Sequence, residues 1–134
     1  MALDTNAVTA LFRGELNSVP HLRMGKFCLP CIVFGEVVEG WCDLAERHHR
    51  HKQEARLATA LARLCEFHEW ARASDILRYT EEAQRAFAVL GVGRGDRSRN
   101  DLRIAAICIA HQVPLVTRNL ADFQDLPGLT LITW

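Results

Sequence analysis

Three carboxylates in this 134-residue chain stand where they could act together: Asp4, Glu36 and Asp101. Asp4 follows the short apolar start Met1-Ala2-Leu3 and opens Asp4-Thr5-Asn6. Asp101 follows Asn100 and opens the apolar run from Leu102 to His111. Glu36 lies inside Ile32-Val33-Phe34-Gly35-Glu36-Val37-Val38, where a helix would give it Ile32 and Val33 as i−4 and i−3 neighbours. A carboxylate on such an apolar stripe is costly unless it is paired or binds a cation. Gathered carboxylates repel one another, so a site shared by all three needs a cation. Hard oxygen ligands suit Mg²⁺ or Mn²⁺ rather than zinc. Each residue also has a purely structural alternative. Asp4 and Asp101 are favoured types at helix starts, and Glu36 could face solvent while Phe34, Val37, Val38 and Trp41 face the core.

The elements that would position these residues alternate between strand and helix. Strands are expected at Met1–Leu3, Lys26–Leu29, Asp75–Tyr79, Pro114–Thr117 and Leu129–Thr133. Between them lie a short helix over Thr5–Arg13, a loop over Gly14–Gly25 containing Pro20, and a helix from Cys31 to about Arg47. A long helix from Glu54 to Trp70 follows, with Leu57, Leu61, Leu64, Phe67 and His68 as its stripe. Thr80 is placed to cap a helix carrying Glu81 and Glu82 in its first turn, with Ala83, Ala86, Phe87 and Leu90 on its apolar face. Gly91, Gly93 and Gly95 end that helix. Leu102–His111 is apolar nearly all round and so should be a buried helix. Pro127-Gly128 marks a turn before the last strand.

This alternation implies an α/β fold with a parallel sheet covered on both faces. In such folds ligands bind beyond the carboxyl ends of the strands. The residues just after the first and fourth strands are Asp4-Thr5-Asn6 and Thr117-Arg118-Asn119.

Composition sets the outer limits. The length suits a single domain over 1–134. Apolar residues make up 49% and charged residues 24%, which argues against disorder. Sixteen basic and sixteen acidic side chains cancel, which excludes a uniformly basic sheath but leaves room for a local patch. The longest uncharged run, Ile104 to Thr117, spans 14 residues and is short for a membrane helix. Charge at Asp4 comes too early for a secretory leader. Five cysteines without such a leader read as reduced thiols, and a cytoplasmic location is expected.

In this setting the chain resembles the PIN-domain ribonucleases of the VapC toxin type. The resemblance rests on Leu3-Asp4-Thr5-Asn6, on Leu29-Pro30-Cys31-Ile32-Val33-Phe34-Gly35-Glu36-Val37, and on Asn100-Asp101-Leu102-Arg103-Ile104-Ala105-Ala106. Leu115-Val116-Thr117-Arg118-Asn119, Asp122-Phe123 and Pro127-Gly128-Leu129 complete the ordered set, which covers essentially the whole chain. The resemblance implies a three-layer α/β/α sandwich with a central parallel sheet. It implies a metal-dependent endoribonuclease, the toxin of a toxin–antitoxin pair, in which Asp4, Glu36 and Asp101 are catalytic and, with Asn119, hold Mg²⁺ or Mn²⁺. Relatives often carry Asp at the position of Asn119, which can accept through its carbonyl oxygen but brings no charge. Asn6, Thr117 and Asp122 would support the site, Thr117 through its hydroxyl and Asp122 either by supporting its loop or by substituting for Asn119. Val33 departs from the family pattern, which often has Ser or Thr there. The resemblance further implies an RNA substrate, a homodimer, and a small cognate antitoxin whose C-terminal segment lies across the acidic pocket. The helix over Glu54–Trp70 would offer groove wall or dimer surface, and Trp70 fits either an interface or the core.

Phosphate contacts are expected from arginine, which supplies 14 of the 16 basic residues and binds phosphate bidentately. Arg94, Arg97, Arg99 and Arg103 crowd the approach to Asp101, and Arg118 flanks the other loop; an ordinary solvated loop would look similar. His111 reads as structural. Arg47-His48-His49-Arg50-His51-Lys52 reads as a polar helix junction. Two rival readings remain. One is a catalytically silent PIN fold that binds a partner or RNA, which Asn119 favours. The other is a zinc or thiol-redox protein built on Cys28-Leu29-Pro30-Cys31 with Cys42 and His48, although these make an irregular ligand set.

Overall fold

Short apolar segments buried on both faces build the sheet. Ala2, Leu3, Leu29, Leu115 and Val116 have no exposed surface at all. In the computed structural model, which describes residues 1–18, 22, 25–91 and 99–134, these segments are β1 (Ala2–Leu3), β2 (Cys28–Pro30) and β4 (Leu115–Val116). Two further strands, β3 (Asp75–Leu77) and β5 (Leu131–Ile132), flank them. All pairings are parallel in the order β3-β2-β1-β4-β5, with Ala2 beside both Cys28 and Leu115 and Val116 beside Ile132. Parallel neighbours need crossover connections, and helices supply them. The helices are α1 (Thr5–Phe12), α2 (Cys31–Arg50), α3 (Glu54–Arg72), α4 (Glu81–Leu90), α5 (Arg99–Ala110) and α6 (Leu120–Phe123). The expected α/β sandwich with a central parallel sheet is therefore present, and its chain order reverses between β1 and β4.

Local signals in the chain explain most boundaries. Thr80 caps α4, its hydroxyl accepting from Ala83 N at 3.3 Å, and Gly91 ends the helix. Helix α5 is buried along Leu102 and Ile104–Cys108, as its all-round apolar composition requires. His111 holds the end of that helix to the chain after β3, its Nε2 lying 3.0 Å from Arg78 O. The polar run after Ala45 forms the exposed end of α2, where Arg47, His49 and Arg50 face solvent and His48 bonds Gln53 at 2.8 Å. The helix continues to Arg50, beyond the expected end near Arg47.

Three expectations need correction. On α3 the stripe does not run through Leu61 and His68, which are exposed. The covered positions are Leu57, Ala60, Leu64, Phe67 and Ala71. Their alternating spacing of three and four is that of a helix–helix seam. The small residues Ala60 and Ala71 let the chain come close there, and the four-residue step from Leu57 to Leu61 drifts off the seam. Phe67 anchors it, with ring centroids 6.0 Å from Phe12, 5.6 Å from Phe34 and 6.1 Å from Trp70, which packs the half-buried Trp70 against the core. The loops also hold short helical turns: Glu15–Ser18 forms a 3₁₀ turn, and α6 lies between β4 and β5. Lastly, β3 stops at Leu77 rather than Tyr79 and leaves Ile76 exposed, as an edge strand allows.

Pro20, Gly93, Gly95, Arg94 and the expected phosphate contact Arg97 lie outside the described residues. Among the described residues, no helix is long and apolar enough to cross a membrane. All five cysteines are free thiols.

Candidate acidic site

Asp4 leaves the carboxyl end of β1 and immediately caps α1. Its Oδ1 accepts from Ala7 N at 2.6 Å, and its own N–H bonds Val116 O at 3.2 Å, which ties it to β4. The cap is therefore real, but it does not account for the burial. Asp4 is only 3% exposed, and Thr117, the residue that follows β4, is fully buried. Burial pushes the Asp4 carboxyl above the ordinary carboxylate value. The hydroxyl of Thr117 and the N–H groups of Ala7 and Asn6 pull it back down, and the nearby Glu36 carboxylate pushes it up again. The hydroxyl of Thr117 also accepts from Asn119 N at 2.9 Å. Engaged on both sides, it orients Asp4 and the β4–α6 loop.

Glu36 does not face solvent. It is half-buried on α2 and receives two neutral donors: the hydroxyl of Thr5 on Oε2, and the amide of Asn100 on Oε1 at 2.9 Å. Asn100 is itself steadied by Arg103, whose Nη1 donates to Asn100 Oδ1 at 3.0 Å. Arg103 lies over the ring of Phe87 at 5.3 Å, with Arg99 over the same ring at 5.9 Å. Asp101 follows Asn100 in the first turn of α5 and is half-buried.

The structure thus brings Asp4 and Glu36 into electrostatic contact and carries the start of α5 to Glu36 through Asn100. Among the described residues, however, no three His, Cys, Asp or Glu side chains gather closely enough to hold a metal. Both oxygens of Glu36 are taken up by neutral donors, Thr5 and Asn100. The donor chemistry nevertheless fits a hard divalent cation. A buried carboxylate beside a second one is the environment a cation relieves.

Asn119 donates through its side-chain amide to Asp122, so Asp122 braces the β4–α6 loop and Asn119 Oδ1 remains as that side chain's acceptor. Asn6 is exposed on the first turn of α1. With Thr9, Arg13, Glu15, Arg118, Asn119 and Trp134 it lines a cavity of about 300 Å³. Arg118 is pinned there: its Nη2 lies 2.7 Å from Glu15 Oε2, and its guanidinium carbon lies 3.5 Å above the centre of the Trp134 ring.

Sequence reasoning did not assign roles to Thr5 and Asn100, which hold Glu36, or to Glu15 and Trp134, which hold Arg118. The first pair each sit one residue from an expected site carboxylate, and that adjacency was the available signal. Nothing local marks the second pair.

The cysteine readings have no geometry behind them. Burial raises the pKa of Cys28, the opposite of what a redox thiol needs. Cys42 is exposed on α2, and His48 is committed to Gln53.

No curated protein sequence matches the chain significantly. Solved structures do share its fold. A VapBC-1 structure from nontypeable Haemophilus influenzae matches with a TM-score of 0.73 at 16% identity, covering 99% of this chain and 96% of the other. A DNA-bound VapBC from Salmonella typhimurium matches with a TM-score of 0.72 at 18% identity, covering 99% and 96%. VapBC2 from Rickettsia felis, bound to a promoter DNA fragment, gives 0.64 at 23% identity, covering 99% and 97%. The PIN domain family model matches residues 1–129. With its acidic residues at the carboxyl end of a parallel sheet and a match over nearly its whole length, the chain belongs to the PIN-domain family.

Proposed function

We propose that this protein is a divalent-metal-dependent endoribonuclease and the toxin of a toxin–antitoxin pair. PIN domains are generally nucleases that use a divalent metal. The observation that carries the reading is the pairing of Asp4 with Glu36 beside the strand-order reversal, where an open α/β sheet places its ligands. In this reading Asp4 and Glu36 hold Mg²⁺ or Mn²⁺, with Asp101 and the carbonyl oxygen of Asn119 completing the oxygen donors. When bound, the cation neutralises charge on the scissile phosphate and makes a water molecule more acidic.

The chain's own groups do the rest. The hydroxyl of Thr117 and the N–H of Ala7 keep the Asp4 carboxylate aimed from the end of β1. Thr5 and Asn100 fix the Glu36 carboxylate. Arg118 offers its guanidinium to phosphate, with Arg99 as a more distant contact, whereas Arg103 acts first through Asn100.

The partner proposal rests on the solved relatives, which are VapBC complexes. An apolar cleft of about 500 Å³ between α2 and α3, lined by Phe34, Val38, Leu64, Cys65, His68 and Glu69, would suit the apolar face of a small antitoxin. Leu61 and Val89, exposed on α3 and α4, are surface that a second copy would cover in a homodimer. A cytoplasmic location accords with five free thiols.

The test is cleavage of total cellular RNA by the purified, partner-free protein. It should appear with Mg²⁺ or Mn²⁺ and vanish with EDTA or in the Asp4→Asn variant. Cleavage that persists through both controls overturns the metal-carboxylate reading.

A further inference from the structure

The cavity beside the acidic site holds features that cutting a phosphodiester bond does not need. Arg13 and Arg118 bracket a single carboxylate, Glu15, at 3.8 and 2.7 Å, so two guanidinium groups line the cavity next to an acidic site. Arg118 lies flat on Trp134 at 3.5 Å. The indole nitrogen of Trp134 is buried and, among the described residues, has no hydrogen-bond acceptor. A buried donor left unmade is costly and calls for an acceptor from outside the fold. Asn6 and Asn119 line the same cavity and sit two residues past Asp4 and Thr117, so it adjoins the acidic site at the carboxyl end of the sheet.

We infer that this cavity is a subsite for a backbone phosphate of the single-stranded RNA, one nucleotide or so away from the bond that is cut. The inference rests on the ribonuclease reading and adds a substrate-holding surface to it. Arg118 and Arg13 take the phosphate oxygens, a geometry that guanidinium forks favour. Glu15 occupies Arg118 until the strand arrives and competes with it. As Arg118 turns toward the phosphate it uncovers the indole, and Trp134 Nε1–H gains its acceptor. Removing Glu15 takes a negative charge from the surface, so a purely structural Arg118–Glu15 pair predicts the same small gain in RNA affinity with or without Arg118. A competing Glu15 predicts a gain that disappears when Arg118 is also replaced by Gln.

The experiment measures binding in EDTA, so that no cleavage occurs, with a short randomised single-stranded RNA followed by fluorescence anisotropy across salt concentrations. Arg118→Gln should weaken binding about tenfold and reduce the salt slope by about 0.7, the value for one phosphate of a single strand. Glu15→Gln should bind more tightly than the wild type, and the gain should vanish in the Arg118→Gln background. In ¹⁵N-labelled protein the indole signal that disappears in Trp134→Phe should shift on RNA addition, while those of Trp41 and Trp70 stay in place. If Arg118→Gln and Glu15→Gln are folded by circular dichroism and bind RNA within twofold of the wild type, the subsite is overturned and the ribonuclease reading stands. An indole signal that RNA leaves in place but an acidic peptide moves also overturns it and assigns the cavity to a protein partner. A wild-type protein that neither binds nor cleaves RNA overturns both.

Discussion

Asn100 donates its side-chain amide to Glu36, Nδ2 to Oε1 at 2.9 Å, across 64 positions of the chain. This bond joins α5 to α2 and turns Glu36 from a surface residue into one held beside Asp4. Arg103 steadies the other end of the amide. Removing the donor should loosen the carboxylate without opening the core. Asn100→Ala is therefore expected to lower RNA cleavage and Mn²⁺ affinity by about 10- to 100-fold, the usual cost of losing a supporting hydrogen bond to a metal ligand. Titration calorimetry and cleavage assays check this; a variant with unchanged values would show that Glu36 needs no such support.

Asp4 caps α1 and, in the proposed function, also holds the metal, and substitution can separate the two. Asn caps a helix about as well as Asp, so Asp4→Asn should retain the bond to Ala7 N and melt close to the wild type. It should lose RNA cleavage and any thermal stabilisation by Mn²⁺. Asp4→Ala should also destabilise the fold by about 1 kcal/mol through the lost cap. Thermal melts with and without Mn²⁺ distinguish the two variants.

Phe67 and Leu61, six residues apart on one helix, should behave oppositely. Phe67 is 1% exposed and packed among three aromatic rings, whereas Leu61 is 46% exposed. Phe67→Ala is expected to cost about 3–5 kcal/mol, and Leu61→Ala well under 1 kcal/mol in the isolated chain. Urea denaturation measures both. A large loss at Leu61 would indicate that another chain covers α3.

Alkaline stability should depend on Cys108. Burial, with smaller contributions from Cys28 and Asp4, pushes its thiol up from 9.0 to about 12. The folded state therefore holds this proton more tightly than the unfolded chain does. The resulting stability is fully present below about pH 9 and is lost as the pH rises toward 12. Melting temperatures should fall over that window, and the fall should be shallower in Cys108→Ala. Iodoacetamide labelling at neutral pH should mark the exposed Cys42 and Cys65 in the native protein and reach Cys108 only after unfolding.

Much of this protein is legible along the chain because local rules decide it. The strand–helix alternation implies a parallel sheet, Thr80 announces the start of α4, and the apolar run after Asp101 announces a buried helix. Asp4, at the end of the first strand, likewise stands at the end of the sheet where open α/β folds bind their ligands. Tertiary structure alone decided which partners those residues meet. Whether Glu36 turns toward solvent or toward Thr5 and Asn100 depends on the rotation of α2 against α1 and α5. The seam of α3 depends on where small residues let α2 approach, so a count of leucines misplaced it. Arg118, Glu15 and Trp134 meet only because β4 and β5 end beside α1, and the first pair is 103 positions apart. Periodicity reports which face of an element is apolar. Side-chain pairing between distant elements is set by their packing, and local sequence patterns do not carry it.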